Sequence, residues 1–95
     1  MAVEQKKPDL KLLTKTGCHL CQDARQVLDR VTAECSLDYR ELDIDQDPLL
    51  QARYKNEIPV VLLEDRVVDF WQINPKRLRK VLLAWQHKNR EAGNV

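Results

Sequence analysis

Cys18-His19-Leu20-Cys21 places two thiols three positions apart, just after an apolar run (Leu10, Leu12, Leu13) and a short polar turn. The same four residues open a segment with helical periodicity. The first turn of a helix leaves backbone N–H groups without intrahelical partners and carries partial positive charge. Both effects favour a thiolate over a thiol, and the thiolate is the reactive form. A strand, a turn and a Cys-x-x-Cys opening a helix together make the layout of a thiol–disulfide redox centre. They also restrict the fold, since the strand must end where the helix begins.

With 95 residues there is room for one domain and a single core. Sixteen basic and fifteen acidic residues nearly cancel, so no global field points to nucleic acid or a membrane surface. The charge is uneven: Asp38, Glu41, Asp43, Asp45 and Asp47 make the middle acidic, and Lys76, Arg77, Arg79, Lys80, Lys88 and Arg90 make the last helix basic. Two solvated faces are the expected reading of this pattern, with a docking surface for an acidic partner as the alternative. No apolar stretch approaches the roughly 20 residues of a membrane span. The start of the chain, Met1 to Asp9, has no apolar core of a secretory signal. A reducing, cytoplasmic setting is therefore expected, where a Cys-x-x-Cys is catalytic or metal-binding rather than part of a disulfide scaffold.

The pattern predicts one domain over residues 1–95, with an ordered core from about 7 to 88 and frayed ends at Met1–Lys6 and Asn89–Val95. Lys7 to Thr14 reads as a first strand. Leu20, Ala24, Val27, Leu28 and Val31 give a helix over Cys18 to Cys35, and Leu37 to Ile44 alternates as a second strand. Asp47-Pro48 is an N-cap acceptor followed by proline at the first helical position, opening a short helix to about Tyr54. Val60-Val61-Leu62-Leu63 has the composition of a strand buried on both faces. Glu64-Asp65-Arg66 is a tight polar connection to a returning strand, Val67 to Phe70. Asn74-Pro75 repeats the cap signal before a last helix striped by Leu78, Val81, Leu82 and Trp85. The order β-α-β-α-β-β-α makes an α/β fold: strands one and two parallel, three and four a hairpin, in a four-stranded mixed sheet flanked by helices.

Leu13-Thr14-Lys15-Thr16-Gly17-Cys18-His19-Leu20-Cys21, followed some forty residues later by Ile58-Pro59-Val60, resembles the glutaredoxin branch of the thioredoxin-fold superfamily, and most of all its small glutaredoxin-like proteins of uncharacterised role. The resemblance spans Lys7 to Trp85 and implies a thioredoxin-like, glutaredoxin-type fold. It implies Cys18 as nucleophile and Cys21 as resolving cysteine. The residues agree, since Cys18 lies nearest the helix end and Cys21 one turn further in. His19 stands where many glutaredoxins have proline and, as an imidazolium, would favour the Cys18 thiolate. Lys15 matches a lysine that in the family meets a glutathione carboxylate or assists the nucleophile. Ile58 and Pro59 match a substrate-binding segment whose proline is cis and whose backbone edge pairs with an extended substrate.

The resemblance further implies that no cofactor is bound, with glutathione as possible co-substrate. The expected partners are a disulfide-containing or glutathionylated protein or small thiol, with an external reductant restoring a monomeric enzyme. Two departures weigh against glutathione. Phe70-Trp71-Gln72-Ile73-Asn74 stands where glutaredoxins carry a Gly-Gly pair, and Glu57 replaces a threonine. A non-catalytic binding adaptor on the same fold is the alternative function. A metal or iron–sulfur module is a further one, although a structural zinc needs four ligands and only one Cys pair exists. No metal ligands are assigned. Asp43-x-Asp45-x-Asp47 is not a calcium loop, because Pro48 and Tyr54 stand where glycine and glutamate are required. Cys35 reads as a buried structural thiol on the helix stripe. Trp71 and Trp85 read as core or groove walls, and His87 as a solvated side chain.

Overall fold

The computed structural model describes residues 7–93, with side chains through Asn89; the frayed segment expected at Met1–Lys6 lies outside the described residues. The elements are β1 (Leu10–Thr14), α1 (His19–Cys35), β2 (Arg40–Asp43), a 3-10 turn (Ile44–Gln46), α2 (Pro48–Tyr54), β3 (Val60–Leu63), β4 (Arg66–Phe70) and α3 (Pro75–Gly93). The sheet order is β2-β1-β3-β4. β1 runs parallel to β2 and antiparallel to β3, and β3 and β4 form an antiparallel hairpin. A helix between β1 and β2 permits the parallel pairing, whereas the β3–β4 link is too short for anything but a hairpin. Glu64 and Asp65 both take positive φ, 51° and 66°. That is the twist a two-residue hairpin turn requires, reached here without glycine.

The period of two along the strands sorts the core into two layers. Leu10, Leu12, Val61 and Leu63 face α1 (Ala24, Leu28, Val31) and α3 (Leu78, Leu82). Leu13, Val60 and Leu62 face the other way, against Ile44 and Tyr54. α1 and α3 thus cover one face of the sheet and α2 the other. Cys35 is buried in the first layer, near the end of α1, as the helical stripe predicts.

Helix ends follow their caps. Asp47 Oδ1 accepts from the amides of Leu49 and Leu50 ahead of Pro48, and Asn74 Oδ1 accepts from Lys76 and Arg77 ahead of Pro75. α1 ends with Ser36 in the left-handed region, where Leu37 N–H donates to Thr32 O at 2.9 Å. Two boundaries differ from the sequence reading. The second strand is confined to Arg40–Asp43, because Asp43 Oδ1 takes the Asp45 amide and turns Ile44 into a 3-10 segment. The last helix continues through Asn89 to Gly93, since Lys88 to Ala92 contains no helix breaker. Among the described residues, no helix is long and apolar enough to cross a membrane.

Candidate redox site

The site forms where β1 ends and α1 begins. Gly17, at φ +76°, turns the chain between them; a Cβ there would meet nothing within 4 Å, so its requirement is for backbone freedom rather than space. Cys18 follows in extended conformation as the N-cap of α1, and its Sγ accepts the Cys21 amide at 3.3 Å. The cysteine side chain therefore does what serine or aspartate does at other helix starts, with sulfur held against the positive end of the helix.

Cys21, one turn on, is fully buried, while Cys18 is only partly buried. Burial pushes the Cys21 thiol up to about 11, helped by its hydrogen bond and charge interaction with the Cys18 sulfur. The Lys15 backbone amide and the Arg25 guanidinium pull in the opposite direction. All three cysteines are free thiols.

The second apolar layer gathers most of the expected site. Cys21 and Ile58 belong to it, and Cys18 packs against it. Pro59 is fully buried beside Ile58, and the Ile58–Pro59 peptide is cis. Lys15 precedes the pair and His19 lies between the two cysteines in sequence, but both side chains are exposed. What Lys15 brings to the pair in this structure is its main-chain amide at Cys21. Cys35 closes α1 seventeen positions after Cys18, about 25 Å along the helix axis, too far to take part.

Two groups near the pair go beyond the sequence reading: Arg25 was not singled out there, and the loop from Phe70 to Asn74 was noted only for lacking a Gly-Gly pair. Arg25 sits four residues after Cys21, on the same helical face. Its Nε donates to Glu41 Oε1 at 2.7 Å, and the buried Thr14 hydroxyl donates to Glu41 Oε2 at 3.1 Å. The i, i+4 spacing to Cys21 was readable in advance. The link to Glu41 was not, because it depends on how β2 lies beside β1.

The other group is the loop after β4. Trp71, expected in a core or groove wall, is not in the core: it is 60% exposed and stands at φ +64°, a left-handed conformation that costs a bulky residue about 1–3 kcal/mol. Its amide donates to Pro59 O at 2.7 Å, continuing the β3–β4 pairing past its end. Asp69, almost wholly buried, holds the loop by accepting from the Phe70 and Asn74 amides, both at 2.9 Å, and from Arg77 Nη1 at 3.2 Å.

Residues 9–83 match the family model described as the glutaredoxin-like domain (DUF836). The chain belongs to this family. An uncharacterized protein of Mycobacterium tuberculosis is 32% identical over 78 residues, which cover 77% of this chain and 80% of the relative. A solved structure of a protein from X. campestris superimposes with a TM-score of 0.67 at 30% identity, over 79% of this chain and 96% of that one. A mutant thioredoxin from Halobacterium salinarum gives the same TM-score at 15% identity, over 85% and 76% of the two chains. The glutaredoxin-like domain thus has the thioredoxin fold. A cysteine caps its first helix, and a second thiol lies buried directly beneath.

Proposed function

We propose that this glutaredoxin-like protein is a thiol–disulfide oxidoreductase, with Cys18 as nucleophile and Cys21 as resolving thiol. The observation that carries the reading is the asymmetry of the pair. Cys18 is accessible and caps a helix N-terminus, whereas Cys21 is buried, protonated at neutral pH and hydrogen-bonded to it through its amide. The thiolate of Cys18 attacks one sulfur of a partner disulfide. A Cys18–partner bond forms, the partner's S–S bond breaks, and the second partner sulfur leaves as a thiolate that takes a proton. Cys21 then gives up its proton to solvent and attacks the Cys18 sulfur, releasing the first partner sulfur. Two electrons pass to the substrate, leaving a Cys18–Cys21 disulfide. An external thiol or dithiol, with glutathione as one candidate, reduces that disulfide and returns the enzyme to its starting state.

Ile58 and Pro59 bound the place where a partner chain would lie, beside Cys18. Lys15 supplies positive charge close in sequence to the nucleophile, and His19 lies between the two thiols. No bound cofactor enters the cycle, and a cytoplasmic monomer acting on protein or small-molecule disulfides fits the reading. Among the described residues, no three His, Cys, Asp or Glu side chains gather as a metal site.

Cys21→Ser in the full chain is the direct test. It should accumulate mixed disulfides on Cys18, identifiable by mass spectrometry, and Cys18→Ser should accumulate none. Equal behaviour of the two variants would overturn the assignment. An adaptor, by contrast, would keep its partners in Cys18→Ser.

A further inference from the structure

Trp71 occupies a backbone conformation that glycine adopts freely and a large side chain resists. Its indole is mostly exposed, so packing of the side chain within the chain does not offset the strain. The loop is nonetheless held firmly: Trp71 N–H donates to Pro59 O, and the buried Asp69 carboxylate fastens the amides on either side. Phe70, immediately before it, is also half exposed. Two consecutive aromatic side chains thus stand at the open end of β4, one backbone hydrogen bond from Pro59. The neighbour of that proline, Ile58, packs in the layer against which Cys18 lies.

We propose that Trp71, with Phe70, determines the substrate class of the redox site. It selects a polypeptide disulfide that carries an apolar or aromatic side chain next to the cysteine Cys18 attacks. This rests on the oxidoreductase reading, and that reading supplies the occupant. A partner bonded through sulfur to Cys18 would lie against the layer that holds Ile58, and the aromatic pair is joined to the adjoining Pro59, within reach of the partner's next side chain. Exposed tryptophan anchors of this kind bury large apolar area at little entropic expense and dominate binding where they occur. Among the described residues, the bonds that hold this strained position are made by the Trp71 backbone and by Asp69, not by the exposed indole, so the identity of the side chain is accounted for by recognition.

Two short peptides test it, each carrying one cysteine in mixed disulfide with 5-thio-2-nitrobenzoate and differing only in Phe or Ser beside that cysteine. Attack by Cys18 on the peptide sulfur forms the Cys18–peptide disulfide and releases the coloured thiolate, so the rate is read directly. Wild type should react about tenfold or more faster with the Phe peptide, and Trp71→Ala should bring the ratio close to one. Leu83→Ala, which removes a half-exposed apolar residue on α3, should keep the wild-type ratio. Trp71→Gly should melt higher than wild type while losing the preference, since glycine releases the strain. A wild-type ratio near one, a ratio unchanged in Trp71→Ala, or a Trp71→Gly protein less stable than wild type would each overturn the inference and leave the redox reading standing. A concentration-dependent dimer abolished by Trp71→Ala would overturn it too, by showing that a second copy covers the patch. Failure of wild type to react with either peptide would overturn the oxidoreductase reading, and the inference with it.

Discussion

Replacing Asp69 tests whether the loop after β4 is held as described. Its carboxylate is 4% exposed and accepts three hydrogen bonds, from the Phe70 amide, the Asn74 amide and Arg77. Asp69→Ala leaves two backbone N–H groups without partners. An orphaned buried donor costs about 1–3 kcal/mol. Phe70 and Asn74 are themselves exposed, so water reaches part of the gap and the lower half of that range applies. Arg77, 61% exposed, adds about 0.5 kcal/mol. The total is about 3 kcal/mol, a substantial part of the roughly 5–14 kcal/mol expected for a chain of this size. It corresponds to a fall of some 12–24 °C in Tm. Asp69→Asn keeps one acceptor oxygen in place and should lose about half as much. Urea unfolding followed by tryptophan fluorescence gives both values. Asp38→Ala is the reference, since it breaks an ion pair exposed on both sides and should cost no more than about 0.5 kcal/mol. If Asp69→Ala were no worse than Asp38→Ala, the loop would not depend on this carboxylate, and the support given to Trp71 would fail with it.

Glu41→Ala should destabilise by about 1–2 kcal/mol in urea unfolding, because it strands the buried Thr14 hydroxyl, whereas Glu41→Gln should cost less. The Arg25 guanidinium holds the Glu41 carboxyl below its ordinary value of 4.5, so its contribution is present above that pH and lost as pH falls through the lower folded value. Cys35→Ala should cost about 1 kcal/mol by opening a small void, yet leave mixed-disulfide capture on Cys18 intact; loss of capture would give Cys35 a redox role. The Cys21 thiol, raised from 9.0 to about 11, contributes stability that is complete below about pH 9 and lost as pH climbs through 11, which alkaline unfolding of Cys21→Ala against wild type should reveal. Cys18→Ala should lower the Cys21 value as read from thiolate absorbance, because the Cys18 sulfur accounts for two of the causes that raise it; an unchanged value would refute their coupling.

Much of the fold was legible because local signals and global topology agree. Asp47-Pro48 and Asn74-Pro75 announce two helix starts in the residues themselves, and Val60 to Leu63 announces a strand covered on both faces. The thiol pair was legible for the same reason, since strand, turn and helix start are adjacent in sequence. What stayed hidden depends on pairing register or on single dihedral angles. Glu41 meets Thr14 and Arg25 only once β2 is laid parallel to β1. Nothing local distinguishes Asp69 from its neighbours on β4, where alternation is interrupted by the irregular register between Val61 and Leu62. The exposure and backbone of Trp71 were not legible because a tryptophan is ordinarily buried and seldom left-handed. Its actual position reflects the hydrogen bond to Pro59, a contact between segments twelve residues apart.

In the proposed redox cycle, the order of the two thiol steps would follow from what raises the Cys21 value. Three causes act on it: burial, the hydrogen bond with the Cys18 sulfur, and charge at that sulfur. In the free dithiol all three hold Cys21 as a neutral thiol, so it does not compete with Cys18 for an incoming disulfide. Once Cys18 is bonded to a partner, its sulfur carries no charge and is a poorer hydrogen-bond acceptor. Burial then remains alone, opposed by the Lys15 amide and the Arg25 guanidinium. The resolving thiol therefore ionises more readily after the first step than before it. Arg25, tied by Glu41 to the sheet beneath, keeps its charge near Cys21 through both steps. On that proposal, formation of the mixed disulfide would itself make Cys21 readier to attack.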